Sequence, residues 1–152
     1  MPLTNISVKH LRCFNHVELS LSPGINFFYG SNGSGKTTML EAVFIFSSGK
    51  SFKSSNLHSL IKFDKQNFYL KGYDNSTGHV IEIEKHKNKP VSIKLNNKKI
   101  VTSKLIKQLP CTPIHNNTFS FTSASPDFRR KLLDRSIFIA EDNFSTTWFS
   151  YH

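Results

Sequence analysis

The chain opens on alternation. Leu3, Ile6, Val8 and Leu11 are spaced loosely by polar residues, and Val17, Leu19 and Leu21 interleave with Glu18, Ser20 and Ser22. Period-two patterning belongs to strands with one buried face, so two strands are expected here. Ser22-Pro23-Gly24 reads as the turn that follows, with Pro presetting φ and Gly accepting a positive φ. Ile25 to Tyr29 is apolar and aromatic with one Asn, the pattern of a strand buried on both faces. It gives way to Gly30-Ser31-Asn32-Gly33-Ser34-Gly35, where only a loop is expected. From Lys36 to Phe46 the period lengthens, and Met39, Leu40, Val43, Phe44 and Phe46 supply the apolar face of a helix.

Ser47 to Ser55 is polar and reads as a loop, and Leu57, Leu60 and Ile61 suggest a short helical turn. Three strands follow, at Phe68–Leu70, Val80–Ile83 and Val91–Leu95, with turns at 74–78 and at Asn96-Asn97. They form an expected antiparallel meander. Thr102 to Leu109 reads as a brief helix closed by Pro110. Ser125-Pro126-Asp127 is a helix start, with Ser as cap, Pro in the first helical position and Asp in the first turn. Phe128, Leu132, Leu133, Phe138 and Ile139 give that helix an apolar side, and Phe144, Trp148, Phe149 and Tyr151 follow it. The expected organisation is a core over 1–66, a meander over 67–101 and a helical segment over 102–152.

Composition narrows the class. The 152 residues suit one domain, or part of a larger one. At 38% hydrophobic with 14 Phe, the chain is too apolar for disorder. No run approaches the ~18 apolar residues of a membrane span, and the N-terminus lacks a basic segment leading into an apolar one, so no signal peptide is expected. Cys13 and Cys111 have no metal-like spacing and are expected to be buried free thiols of a cytoplasmic protein. Twenty basic side chains against 10 acidic leave a net charge of +10, which fits a nucleic-acid or other anionic partner. The lysines are spread along the chain, with clusters at Lys85–Lys89 and Lys98–Lys107, and scattered lysines also read as a solvated surface.

One motif carries chemistry. Gly30-Ser31-Asn32-Gly33-Ser34-Gly35-Lys36-Thr37 matches G-x-x-x-x-G-K-[ST], between an expected strand and an expected helix. The glycines let backbone N–H groups turn onto phosphates, and the helix N-terminus adds its positive end. Lys36 is placed for the β- and γ-phosphates, the Thr37 hydroxyl for Mg²⁺ and Thr38 for the α-phosphate. Phosphoryl transfer also needs an acidic partner for Mg²⁺ and a group that orients water. No apolar strand ending in an acid follows the loop: Asp134 sits in a helix, and Glu82 and Glu84 sit in the meander. Arg129 and Arg130 stand in the first turn of their helix, where the dipole disfavours cations. They face either an anionic partner, such as DNA or phosphate, or local pairing with Asp127 and Asp134.

These residues together resemble the RecF family. Leu11-Arg12-Cys13-Phe14, Ser22-Pro23-Gly24-Ile25-Asn26, the P-loop, Leu40-Glu41-Ala42, Gly49-Lys50-Ser51-Phe52-Lys53 and Ser125 to Asp134 are similar to its segments in order and spacing. The resemblance implies an α/β fold: a P-loop ABC-ATPase-like partial head with a mixed sheet, a core helix after the P-loop and a small antiparallel meander. It implies binding of ATP and Mg²⁺, ATP-dependent DNA binding in recombinational repair and replication, recombination mediator proteins as partners, and a homodimer around ATP in longer relatives. Arg12 would sit beside the nucleotide. Asn116-Asn117 stands where the family has an acidic group, and Ala124 where it has Gly. The alternatives are a nucleic-acid-binding module without turnover and a non-functional remnant of a longer head.

Overall fold

The computed structural model describes residues 2–114, 125–141 and 144. The chain divides into two units, Met1–Cys111 and Thr112–His152. In the first unit lie strands β1 (Asn5–Lys9), β2 (His16–Ser20), β3 (Asn67–Asp74), β4 (His79–His86), β5 (Ser92–Leu95) and β6 (Lys98–Lys99). It also holds helices α1 (Lys36–Ser48) and α2 (Thr102–Gln108), and a 3₁₀ turn over Leu57–Leu60. The second unit contributes α3 (Pro126–Ala140).

The six strands form one sheet in the order β2-β1-β3-β4-β5-β6, antiparallel at every pairing. Alternation sorts its faces. Ile6, Val8, Phe68, Leu70, Ile81, Ile83 and Ile93 turn inward and are fully or almost fully buried. α1 and α2 supply the opposing layer through Met39, Ala42, Ile45, Phe46 and Leu105. Gly72 lets the layers close, because a Cβ there would lie 2.8 Å from Leu3 Cδ2 and 3.1 Å from Phe46 Cε1. The α/β architecture expected from the sequence is therefore present, with a core helix on strands and an antiparallel meander.

Five features depart from the expectation, the first being that the sheet of the described residues is antiparallel throughout rather than mixed, since each strand returns beside a neighbour that runs the other way. Ile25 to Tyr29 is not a strand, and Ile25, Phe27 and Tyr29 are 77%, 82% and 93% exposed. A doubly buried strand needs neighbours on both sides, and among the described residues no strand pairs with this one. Asn26 instead folds back, with Nδ2 donating to Ser22 O at 2.9 Å and Oδ1 accepting from Ser22 N at 2.8 Å. Next, α1 runs to Ser48, past Phe46, and stops at Gly49, whose φ of 62° is left-handed and whose N–H bonds Ile45 O at 2.8 Å. Neither cysteine forms a disulfide among the described residues, but Cys13 is exposed and Cys111 half-buried. Cys13 follows β1 in a surface turn, so its side chain never enters the core. Lastly, β6 was not expected. Asn96 and Asn97, at φ 48° and 65°, make the two-residue turn that creates it. The aromatic residues after Phe144, and Asn116-Asn117 and Ala124, lie outside the described residues.

The β3–β4 turn contains a buried carboxylate. Asp74 accepts from Ser76 N at 2.9 Å and from Thr77 Oγ1 at 2.7 Å, and also from Ser76 Oγ. These hydrogen bonds, Ser76's foremost, lower its pKa to about 2. A carboxylate depressed in the folded state stabilises it above the unfolded pKa of ~3.9 and loses that contribution as pH falls through the folded value. Asp74→Asn is therefore expected to lower the urea midpoint at pH 7, with the difference from wild type shrinking between about pH 4 and pH 2. A difference unchanged across that window would show that the charge contributes nothing.

Candidate nucleotide site

The G-x-x-x-x-G-K-T segment leads directly into α1. Gly35 is the residue before the helix, at φ 95°, and no side chain caps the N-terminus. A Cβ at Gly35 would lie 2.5 Å from Phe14 Cε1 and 3.1 Å from Cys13 Sγ, so both conformation and space demand glycine. The first turn carries no acid. Its N–H groups are thus left for an anion, with the helix dipole behind them. Lys36 arches over the loop, its Nζ donating to Gly30 O and to Ser31 O, each at 2.8 Å. An ammonium has three donors, so one remains for a ligand.

A cleft of about 340 Å³ opens at this point, within the range that holds small ligands. Asn32, Gly33, Ser34, Gly35, Lys36, Thr37 and Thr38 line one side, and Arg12 and Cys13 the other. Gly30 and Ser31 hold the lysine from behind. The fold therefore brings Arg12 to the loop across 17 residues of intervening chain. Arg12 takes a left-handed φ of 48°, and its N–H bonds Leu60 O at 2.8 Å, which fixes the turn after β1. Thr38 is mostly buried, with Oγ1 3.8 Å from Cys13 Sγ. Arg129 and Arg130 belong to the second unit. Arg130 Nη1 lies 3.4 Å from Asp127 Oδ1, the local pairing, but both side chains are about three-quarters exposed, where such pairs contribute little.

Two residues of the site went unread in the sequence. Glu41 is fully buried in α1, and its carboxylate takes Arg12 Nε at 2.6 Å and Arg12 Nη2 at 3.1 Å. The Ser51 hydroxyl donates to the same carboxylate and accepts from Lys53 N and Ser54 N, each at 2.9 Å. This bidentate fork orients Arg12 along the cleft wall and ties the loop after α1 to it. An acid between Leu40 and Ala42, on an otherwise apolar helix, was the available signal. Among the described residues the cleft lining holds no carboxylate, and no group of three His, Cys, Asp or Glu is placed to hold a metal. No described helix is long and apolar enough to cross a membrane.

Comparisons with known proteins agree with this fold. DNA replication and repair protein RecF of Aliivibrio fischeri (strain MJ11) is 33% identical over 153 residues, covering 97% of this chain and 42% of that protein. A solved structure of the recombination mediator protein RecF with ATP, in the RecFOR pathway, superposes with a TM-score of 0.85 at 28% identity. It covers 99% of this chain and 42% of that one. A solved SMC ATPase, at 21% identity and a TM-score of 0.68 over 88% of this chain and 98% of that one, shares the fold. The chain thus spans about two-fifths of the length of the RecF proteins it matches. With 33% identity to a RecF protein on one side and a family model described as an AAA domain matching residues 5–147 on the other, the chain belongs to the AAA-domain family.

Proposed function

We propose that this chain is the nucleotide-binding part of a RecF-like head, which binds ATP and DNA in recombinational repair and replication. The observation that carries the reading is the uncapped N-terminus of α1 behind a glycine that cannot be replaced, with Lys36 poised over the loop. In this reading Gly30 to Gly35 wrap the phosphates, Lys36 binds the β- and γ-phosphates, Thr38 the α-phosphate, and Arg12 approaches from the facing wall. Mg²⁺ would be held by Thr37 and phosphate oxygens, since the described lining supplies no carboxylate. Residues 1–66 form the nucleotide core, 67–101 the meander and 102–152 a helical segment leading away from it. Recombination mediator proteins are the expected partners in the cytoplasm, and pairing of two heads around ATP is expected of longer relatives only. Arg129 and Arg130 remain candidate contacts for DNA or phosphate. Titration with a fluorescent ATP analogue, with and without Mg²⁺, tests the reading; absence of binding overturns it.

The acid-free cleft favours one variant of this function, in which nucleotide is bound but not turned over. Phosphoryl transfer relies on positioned charge, and each missing group often costs ~10²–10³ in rate. The expected result is phosphate release no faster than from Lys36→Ala, with or without DNA. DNA-stimulated release that disappears in Lys36→Ala would reveal a complete catalytic set.

A further inference from the structure

The lysines are not evenly spread once the fold is known. Residues 85–111 carry eight lysines and no Asp, Glu or Arg, whereas all other residues together carry twelve basic and ten acidic side chains. Most of the net +10 therefore belongs to one stretch: the end of β4, strand β5, the edge strand β6, and α2.

The sheet register concentrates this charge. Lys94 of β5 stands directly opposite Lys99 of β6, so the two side chains share a face. Like charges in that relation are destabilising. Lys94 also faces Glu82 across β4–β5, but Glu82 is already engaged: it accepts from the Tyr69 hydroxyl and lies 3.6 Å from Lys71 Nζ. Glu84 is likewise committed, to Asn67 Nδ2 at 2.7 Å and His86 Nε2 at 2.9 Å. Both acids of β4 thus spend their charge within β3 and β4. Lys94, Lys98 and Lys99 enter no ion pair with the described residues. Lys89 and Lys99 flank a shallow groove of about 410 Å³ beside these strands.

Lysines on an edge strand also deter pairing with other chains. That explanation covers Lys98 and Lys99 on β6. It does not cover Lys94, whose strand is paired on both sides, nor the absence of acids over the whole stretch.

We propose that the β4–β5–β6 edge forms a docking surface for the phosphate backbone of duplex DNA. This rests on the DNA-binding reading given above and locates it. The residue types select the form of nucleic acid. The stretch has no Phe, Tyr or Trp, so it offers no platform on which single-stranded bases stack. It has no Arg, and so lacks the side chain most used for bidentate reading of guanine. Lysine is a point charge on a flexible stem, suited to phosphates irrespective of sequence. The surface is built for backbone contact alone.

The test is fluorescence anisotropy of the full chain with a 20-base-pair duplex and with oligo(dT), across ~50 to 200 mM salt. Two charge-matched variants are compared: Lys94→Gln with Lys98→Gln and Lys99→Gln, and a control with Lys9→Gln, Lys53→Gln and Lys65→Gln. The surface predicts tighter binding to duplex. It also predicts that the first variant loses about 2 to 3 units of the slope of log K against log salt, at about 0.9 per phosphate contact. Its affinity should fall tenfold or more at ~150 mM salt, and the control should stay within about threefold of wild type. Equal losses in both variants would overturn the surface while leaving DNA binding intact. Preference for oligo(dT) would overturn the duplex assignment, and displacement of the duplex by polyglutamate at equal charge would assign the surface to an acidic protein. Failure of the wild type to bind either probe would overturn the DNA-binding reading itself. Circular dichroism of all three proteins separates these outcomes from misfolding.

Discussion

Lys36→Ala is expected to lower the affinity for ATP by about 100-fold or more, with an unchanged circular dichroism spectrum. The size follows from the interaction removed. A charge-assisted bond to a phosphate contributes roughly 1.5–3 kcal/mol, and every 1.4 kcal/mol is about tenfold in affinity. In the proposed reading the N–H that the two loop carbonyls leave over binds the phosphates, and the ammonium charge attracts both of them. The fold should be indifferent, because the hydrogen bonds of the ammonium go to two carbonyls of its own exposed loop. Titration with a fluorescent ATP analogue measures the first half of the expectation and far-ultraviolet circular dichroism the second. Wild-type affinity in the variant would mean that nucleotide does not bind at this loop.

Arg12→Ala should act on stability more than any other single change near the cleft. It removes both bonds of the guanidinium fork and leaves the Glu41 carboxylate fully buried, with only the Ser51 hydroxyl as partner. Breaking a buried pair from one side typically costs 3–5 kcal/mol, because the remaining charge is uncompensated. The Arg12 side chain is about one-third exposed, which places the expectation near the lower figure, about 3 kcal/mol. Glu41→Leu in the same background removes the stranded charge, so the double variant should recover part of the loss. Urea unfolding of wild type, both single variants and the double closes the cycle. An Arg12→Ala protein with the wild-type midpoint would show that the fork only decorates the surface. The double variant should still bind ATP less tightly than wild type, since Arg12 also forms the far wall of the cleft.

Most elements could be read from local pattern. Val17, Leu19 and Leu21 alternate because one face of β2 meets the core, and Met39, Val43 and Phe46 repeat with a helical period because α1 lies on that same core. Gly30 to Thr37 was legible for a different reason: the loop's conformation is dictated by residues next to one another, so spacing alone carries it. Ile25 to Tyr29 misled because composition records how apolar a segment is, not whether a neighbouring strand covers it. In the described structure none does, and three of its four apolar side chains face solvent.

The sequence by itself thus determined the P-loop, the helix behind it, the meander strands and the surplus of positive charge. Each depends on residues within a turn or two of one another. Only the tertiary structure decided what depends on distant partners. β1 joins β3 across more than 60 residues, with Val8 opposite Leu70. Arg12 finds Glu41 29 positions later, converting a strand-end cation into a cleft wall. Glu82 and Glu84 turn to partners on β3 and leave the lysines of β5 and β6 uncompensated. Charge is additive along a chain and can be counted from letters. Which charges cancel is a matter of a few ångströms, and those are set by the fold.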